Sequence, residues 1–342
     1  MATIADVAER AGVSVSTAAR VLSGTGYASD DTRRVVLEAA KELGYVPNQI
    51  ARSLRTRRTR MIGLLIGDVE NSFYSVIAKN VEAVAKVAGY HVVLCNSNDD
   101  PAIEKAYLKL LEGVRVDALI VTPTAKNLRY LARLLDKGMV IVQVDRRVEQ
   151  LDADAILVDN EAGAMTAVAH LIAAGHMRIG ILAGDVDVAT AKHRLAGYER
   201  ALRESGIPIR DELIKTGSFH REHAIEDASD LIASTSRPTA IFAANNILAE
   251  ACLLALGQSG LKVPQDMSVV AFDDVEWMTM TSPPLTAVRQ PVADMASSAA
   301  ELVLRRLLED GQGAPSTVVF RTEIQVRGSV APARKARAAS SP

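Results

Sequence analysis

This 342-residue chain has few cysteines and few aromatic residues, and it lacks long apolar runs. The shortage of cysteines and of apolar runs excludes several classes of protein. The chain has one tryptophan, 4% aromatic residues and two cysteines. Cys95 and Cys252 each lie in an apolar run, so a disulfide framework or a cysteine metal cluster is excluded and buried thiols are expected. No apolar run is long enough to span a membrane, and the charged N-terminus is unlike a secretory signal. We therefore expect a soluble, cytoplasmic protein.

Net charge is also small, −2, but it is unevenly distributed. Residues 1–60 hold ten Lys/Arg and six Asp/Glu, a net charge of +4, so the remaining residues carry −6. Five of the arginines fall within residues 51–60, around a single leucine. Such an asymmetry indicates a polyanionic partner for the basic end. The apolar content of 49% is sufficient for a large core in the rest of the chain.

The N-terminal segment is predicted to form three short helices. Thr3 and Asp6 have the spacing of a capping box, and Gly12 can adopt the left-handed conformation of a tight turn. Ser14 is a suitable N-cap for a second helix and Ser29 for a third. Two helices joined by a glycine turn and braced by a third form a helix-turn-helix.

The second helix presents small side chains and one arginine at its exposed positions, Val15, Ser16, Thr17 and Arg20. These residues suit entry into a DNA major groove about 12 Å wide. The alternative is a structural helical hairpin with a solvated face.

From residue 61 the sequence alternates short apolar runs with amphipathic helices. The runs are MIGLLIGD, YHVVLCNS, DALIVTP, MVIVQVDR, RIGILAGD, TAIFAANN and MSVVAFDD. Such alternation is typical of parallel sheets covered by helices on both faces. It occurs twice, before and after about residue 160, so we predict two doubly wound lobes. The fold class is α/β, with a small all-α headpiece.

Polar residues collect directly after several of these runs, where open parallel sheets bind ligands. Asn71 to Tyr74, Asp145 with Arg146, Asn245, and Asp273 with Asp274 are examples. Carboxylates and amides can bind sugar hydroxyls, and aromatic rings can cover a sugar's apolar face. The alternative for each residue is a loop cap, since Asp and Asn are common after strands.

The first sixty residues, including LGYVPNQIARSLR, resemble the headpiece of the LacI–GalR family of bacterial repressors. The resemblance implies that the second helix reads base edges and that a homodimer binds a pseudo-palindromic operator. By position, Val15, Ser16 and Arg20 read bases, while Thr3 and Thr17 contact phosphates. Ala5 stands where the family usually has Lys or Arg, and TAAR replaces the usual TVSR. Both departures weaken backbone contacts and leave the base-reading positions in place.

The arginine-rich segment matches the hinge helix of that family, which lies in the minor groove. The DNA contacts carried over by position are Asn48, Ala51, Leu54 and Arg55. Flanking arginines repel one another, so we expect this segment to fold only beside phosphates. Leu54 is then the apolar wedge between base pairs.

Residues 61–328 resemble the family's periplasmic-binding-protein-like core (type I), which implies two lobes joined by three crossovers. The expected divisions are a headpiece (1–46), a hinge (47–60), a core (61–330) and a disordered tail (331–342). The N-lobe comprises about 61–160 and 289–320, and the C-lobe 161–288 and 321–330. A final strand region, STVVFRTEIQVRGS, is expected to divide between the two lobes. The effector contacts implied by position are Phe73, Asp145, Arg194, Phe219, Asn245 and Asp273.

Three function classes compete. A transport-associated sugar-binding protein would need an export signal and leaves the headpiece unexplained. A sugar-modifying enzyme would need a catalytic constellation, and neither HREH, GTGYAS nor the Asp273–Asp274 pair supplies one. A ligand-responsive repressor accounts for both ends of the chain, and no cofactor or metal is expected. A sugar is the default effector, because Val188 stands where the purine-responsive branch has an arginine. Whether the effector is an inducer or a corepressor stays open.

Overall fold

The computed structural model describes residues 2–23, 27–45, 58–217, 219, 221–308 and 313–333. The chain divides into two compact units, Met1–Thr59 and Arg60–Pro342. Four of the expected DNA contacts, Asn48, Ala51, Leu54 and Arg55, lie outside the described residues.

The first unit contains three helices, α1 (Ile4–Arg10), α2 (Val15–Ser23) and α3 (Asp30–Glu42). The predicted capping box is present, since the Asp6 amide donates to the Thr3 hydroxyl and the Thr3 amide donates to the Asp6 carboxylate. Ser14 caps α2 by accepting from the Thr17 amide. Apolar residues from all three helices form the core: Val7, Ala8, Ala18, Val21, Val36, Ala39 and Ala40.

The second unit contains two six-stranded sheets, and each forms one lobe. The N-lobe sheet has the order β11-β5-β4-β3-β1-β2 and is parallel throughout. Its strands are β1 (Met61–Ile66), β2 (His91–Asn96), β3 (Ala118–Val121), β4 (Val140–Val144), β5 (Asp154–Val158) and β11 (Thr317–Phe320). Its helices are α4 (Ser72–Val87), α5 (Pro101–Gly113), α6 (Leu128–Asp136) and α11 (Val292–Leu308).

The C-lobe sheet has the order β12-β10-β9-β8-β6-β7 and is parallel except for the pair β10 and β12. Its strands are β6 (Ile179–Leu182), β7 (Ile214–Lys215), β8 (Ala240–Ala243), β9 (Ser268–Phe272), β10 (Thr286–Arg289) and β12 (Glu323–Gln325). Its helices are α7 (Asn160–Ala173), α8 (Ala189–Glu204), α9 (Arg221–Ala233) and α10 (Asn246–Gln258). The predicted pair of doubly wound lobes is confirmed.

The chain crosses between the lobes three times. The first crossover joins β5 to α7, the second joins β10 to α11, and the third joins β11 to β12. Three connections at one side leave the carboxyl ends of both sheets facing a shared cleft. Loops from both lobes therefore meet there.

Three strands were missing from the prediction: β5, β7 and β10. β7 has only two residues, β5 begins with Asp154, and β10 has a polar residue at each end, so none of them stands out as a continuous apolar run. Residues 331–333 were expected to belong to a disordered tail, and for these three residues the prediction was wrong. His176 and Ser268 lie within hydrogen-bonding distance of the Ala331 carbonyl, and the Ala333 amide donates to the Ala174 carbonyl. Residues 331–333 are therefore anchored to the C-lobe, and 334–342 lie outside the described residues.

Both cysteines are buried, as predicted, and burial raises the pKa of each thiol, for Cys252 to about 12. In the described part of the chain, no helix combines the length and apolarity that crossing a membrane requires.

Candidate effector cleft and DNA-recognition surface

The six expected effector contacts come together at one cavity between the lobes. Phe73 and Asp145 belong to the N-lobe, and Arg194, Phe219, Asn245 and Asp273 belong to the C-lobe. The same cavity is lined by further residues: Asp68, Asn71, Tyr74, Asp99, Arg146, Thr190, Ile247 and Gln290. Every parallel strand of a sheet delivers its following loop to this edge, which explains the convergence.

Arg194, on α8, organises the C-lobe wall. Its Nε donates to Asn160 Oδ1 at 2.8 Å and its Nη1 donates to the Ala244 carbonyl at 2.7 Å. The guanidinium group lies 3.8 Å from the centre of the Phe272 ring, a cation–π contact. Asn160 begins the C-lobe directly after the first crossover. Arg194 therefore ties a lining position of the cleft to the connection between the lobes.

Asp273 and its neighbour Asp274 point to different surroundings. Asp273 accepts a short hydrogen bond from Gln290 Nε2 (2.5 Å) and lies 3.7 Å from Arg194 Nη1. Asp274 pairs instead with Arg289 and Arg327, outside the cavity lining. Hydrogen bonds from these two arginines outweigh burial and lower the pKa of Asp274. The two carboxylates therefore have different partners, and they face different sides of a chain that is left-handed at Asp273 (φ +68°).

Arg146 is the cation of the N-lobe wall. Its Nη1 donates to Asp99 Oδ1 at 2.5 Å and its Nη2 donates to Asp99 Oδ2 at 3.1 Å. Nη2 also donates to the Tyr74 hydroxyl at 3.0 Å, and that hydroxyl donates to Asp145 Oδ2 at 3.4 Å. The Arg146 Nε lies 3.5 Å from Asp145 Oδ2 without forming a hydrogen bond.

Aromatic rings supply the apolar part of the cleft. Phe73 and Tyr74 pack edge to face, with ring centres 5.1 Å apart and planes at 82°. Phe219 packs on the backbone of Gly184, where a Cβ atom would lie 2.3 Å from the Phe219 ring. Gly184 also has a φ of +74°, so both space and backbone conformation require glycine.

The lobes touch each other across the cleft. Asn246 Nδ2 of the C-lobe donates to Asn71 Oδ1 of the N-lobe at 3.0 Å in a buried contact. At the exposed rim, Lys126 Nζ lies 3.4 Å from Asp187 Oδ2. The enclosed space leaves about 50 Å³ for the centres of water molecules, room for a few waters only. A sugar-sized ligand therefore requires the lobes or lining side chains to move apart.

Two polar atoms in the cavity wall have unused hydrogen-bonding capacity. Gln290 Oε1 and Arg146 Nε are buried and have no hydrogen-bond partner among the described residues. Buried polar atoms usually have a hydrogen-bond partner. Gln290 Oε1 is therefore suited to accept a hydrogen bond from a bound molecule, and Arg146 Nε is suited to donate one.

Carboxylates outnumber cations in the cavity lining. Burial is the largest influence on Asp145 and raises its pKa to about 6; Arg146 and Arg194 oppose this shift, while Asp273 and Asp99 add to it. Ionised Asp145 at neutral pH is therefore an unfavourable charge for the folded protein.

On the headpiece, the predicted reading residues lie on the exposed part of α2. Val15, Ser16 and Arg20 are exposed. Ser14 Oγ lies 2.8 Å from Thr17 Oγ1 and 2.9 Å from Ser16 Oγ. Thr3 is exposed at the start of α1, and its hydroxyl proton stays available because the hydrogen bond from Asp6 uses only its oxygen.

Several cleft residues were not among the predicted contacts. Arg146 lies two residues after the end of β4, and Tyr74 lies in the first turn of α4, which follows β1 along the chain; these positions after strands were the available signal. Gln290 follows β10, a strand that the sequence pattern did not reveal. Asp99 lies three residues beyond β2 and reaches the cleft only through its pairing with Arg146, which no local pattern encodes.

The Asp145 pKa generates a prediction about stability. Since the folded-state pKa lies above the ordinary value of 3.8, folding favours the protonated form. The contribution of protonated Asp145 to the stability of the folded protein is complete below about pH 4, and it is lost as the pH rises through about 6. Asp145→Asn should therefore be more stable than the wild type at pH 7, by about 2 kcal/mol, and the difference should shrink towards pH 4. Urea unfolding at both pH values measures it.

Asp152→Asn, at an exposed position, serves as the matched control and should show no such difference. A stability gain for Asp145→Asn that is equal at pH 4 and pH 7 would rule out the titration of Asp145 as its cause.

Comparisons with known proteins agree with this arrangement. Residues 3–48 match the family described as bacterial regulatory proteins, lacI family, and residues 168–330 match a periplasmic binding protein-like domain. The HTH-type transcriptional repressor PurR of Photobacterium profundum is 36% identical over 96% of this chain and 99% of its own length.

Two solved structures are also similar over nearly the whole chain. The lac repressor dimer bound to operator and the anti-inducer ONPF has a TM-score of 0.84 and 26% identity, over 96% of this chain and 99% of that one. The complex of the transcriptional regulator CelR with cellobiose has a TM-score of 0.72 and 29% identity, over 96% of this chain and all of that one.

The chain combines a helix-turn-helix with a two-lobed core, and it is 36% identical to a repressor over nearly its full length. These three observations indicate the same family. This chain belongs to the LacI family of bacterial transcriptional regulators.

Proposed function

We propose that this regulator binds a neutral, polyhydroxylated small molecule, a sugar of about monosaccharide size, in the cleft between its lobes. The observation that carries the proposal is the composition of the cavity wall. It combines carboxylates, amides and aromatic rings with two guanidinium groups, each already paired with a carboxylate. Sugar-modifying chemistry has no support in this wall, so the proposed role is binding without turnover.

The charge balance favours a neutral ligand. Four carboxylates, Asp68, Asp99, Asp145 and Asp273, face two cations in the lining. An anionic ligand would add to an excess of negative charge in a largely buried site, where repulsion is strong. Hydroxyl groups can donate to the carboxylates, and aromatic side chains such as Phe73 and Phe219 can cover the apolar face of a sugar ring.

The partner of the headpiece is proposed to be an operator in double-stranded DNA. Val15, Ser16 and Arg20 would reach base edges in the major groove, while Thr3 and Thr17 would contact phosphates. Binding a chromosomal operator places the protein in the cytoplasm.

A homodimer is proposed to present two headpieces to a pseudo-palindromic site. Apolar side chains that a monomer leaves exposed support this assembly: Val76, Val87, Leu94 and Met280.

The ligand proposal is tested by Asp273→Asn and Asp274→Asn side by side. Neutral monosaccharides, disaccharides and sugar phosphates are first screened for thermal stabilisation of the full chain. Asparagine tolerates the left-handed backbone of Asp273 (φ +68°), so this variant should fold normally. We expect Asp273→Asn to bind the best sugar at least about tenfold more weakly, because a charged acceptor is lost, and to keep its operator affinity.

Asp274→Asn changes the adjacent carboxylate, which pairs with Arg289 and Arg327 outside the cavity lining. It should lower the melting temperature and leave sugar affinity unchanged. Equal losses of sugar affinity in both variants would contradict a direct role for Asp273, and stabilisation by sugar phosphates alone would contradict the neutral ligand.

The DNA proposal is tested by Arg20→Ala, with Arg33→Ala as the matched control. Both variants remove one exposed arginine from the headpiece, Arg20 from α2 and Arg33 from α3. On an operator selected from random duplexes, Arg20→Ala should remove about 1–3 kcal/mol of discrimination at one base pair in each half-site. Affinity measurements on operators mutated base by base report this loss. The control Arg33→Ala should weaken binding to all operator sequences equally, or not at all. If Arg20→Ala also weakens binding to every sequence equally, then Arg20 contacts phosphate only.

A further inference from the structure

The Asp99–Arg146 pair has a geometry that a merely structural salt bridge in a cleft would not require. Arg146 is 7% exposed, and two of its nitrogens donate to the two carboxylate oxygens of Asp99 in parallel. This forked arrangement is the one by which arginine binds phosphates and carboxylates of ligands. Asp99 thus occupies the part of Arg146 that would otherwise recognise an anion.

The chain around Asp99 is arranged to deliver its carboxylate. Asn98 and Asp99 both have positive φ angles, 52° and 54°, a conformation that costs energy for residues other than glycine. The Asp99 amide donates to the Gly67 carbonyl at 3.0 Å. At Gly67 itself, a Cβ atom would lie 2.6 Å from Asp99 Oδ1 and 3.0 Å from the Tyr74 hydroxyl. A strained turn and a residue without a side chain therefore both accommodate this one carboxylate.

We propose that Asp99 is a specificity-determining residue that makes the cleft select neutral sugars over phosphorylated or acidic ones. It does so by neutralising Arg146 and by filling its forked donor face. This inference rests on the proposed function in one respect, namely that the cleft is the effector site.

Arg146 keeps a limited role towards a neutral ligand. Its Nε and the second hydrogen on Nη1 are not used by Asp99 or Tyr74. Single donors of this kind suit a hydroxyl oxygen, which needs no forked partner. The other cation of the cleft cannot replace Arg146 as an anion site, because Arg194 is engaged by Asn160, the Ala244 carbonyl and Asp273.

The test uses the full chain and inorganic phosphate as the probe. Asp99→Asn removes the negative charge and keeps the shape of the side chain. Asp99→Ser also shortens the side chain, which exposes the two Arg146 nitrogens that Asp99 occupies. Isothermal titration of phosphate should show binding that is about tenfold tighter or more in both variants than in the wild type. The gain should disappear when Arg146→Gln is added to Asp99→Asn.

Asp68→Asn is the matched control, since Asp68 is another carboxylate of the cavity lining and has no contact with Arg146 among its hydrogen bonds. It should give little gain. An equal gain in Asp68→Asn would mean that net charge alone excludes anions, and it would overturn the proposal. A gain that survives Arg146→Gln, or wild-type binding as tight as in the variants, would also overturn it.

Folding and function are separated within the same experiment. Circular dichroism and a melting curve check each variant, and Asp99→Ser provides the result if Asp99→Asn does not fold. The phosphate measurement uses no sugar. A failed sugar screen therefore bears only on the proposed function, whereas absence of a phosphate gain in both Asp99 variants bears only on the role of Asp99.

Discussion

The parallel direction of the strands is the constraint on which the rest of the core depends. Because nearly all neighbouring strands in each sheet run the same way, their following loops reach one edge of that sheet. Three crossovers then keep the two edges facing each other. Residues from distant parts of the chain, such as Phe73, Asp145 and Asp273, become neighbours for this reason alone. The cleft is therefore a consequence of the topology, and its chemistry is set by the residues at the strand ends.

This chemistry works against stability. Burying Asp145 near other carboxylates raises its pKa to about 6, so the folded state carries an unfavourable charge at neutral pH. The left-handed residues Asn98 and Asp99 add backbone strain at the same site. Costs of this kind concentrate at functional sites, where selection maintains them for binding. The hydrogen bonds of Arg194 and the core of each lobe offset them.

Local patterns predicted much of this structure. Seven of the strands coincide with continuous apolar runs in the sequence. The headpiece helices begin at the caps that Thr3, Ser14 and Ser29 provide. Residues immediately after strands, such as Asp145 and Asn245, could be placed at the cleft because strand ends are recognisable. The roles assigned to these residues in effector and DNA binding stay predictions.

The remaining features depend on packing that no local pattern encodes. Strand β10 has polar residues at both ends, Thr286 and Arg289, and without this strand the position of Gln290 could not be inferred. The pairing of Asp99 with Arg146 joins residues 47 positions apart in sequence. Residues 331–333 are held by hydrogen bonds to the side chains of His176 and Ser268 and to the carbonyl of Ala174. These three partners are distant in sequence.

Lobe movement around a bound neutral sugar is the central claim of this account, and a distance across the cleft tests it most directly. Lys126 and Asp187 are exposed and lie on opposite lobes at the rim, while both native cysteines are buried. Spin labels on Lys126→Cys and Asp187→Cys would report the distribution of distances between the lobes by pulsed electron paramagnetic resonance. Because the rim side chains are already in contact without ligand, we predict a short mean distance in the ligand-free protein and a longer one at saturating concentration of the most stabilising sugar. An identical distribution with and without that sugar would contradict the account.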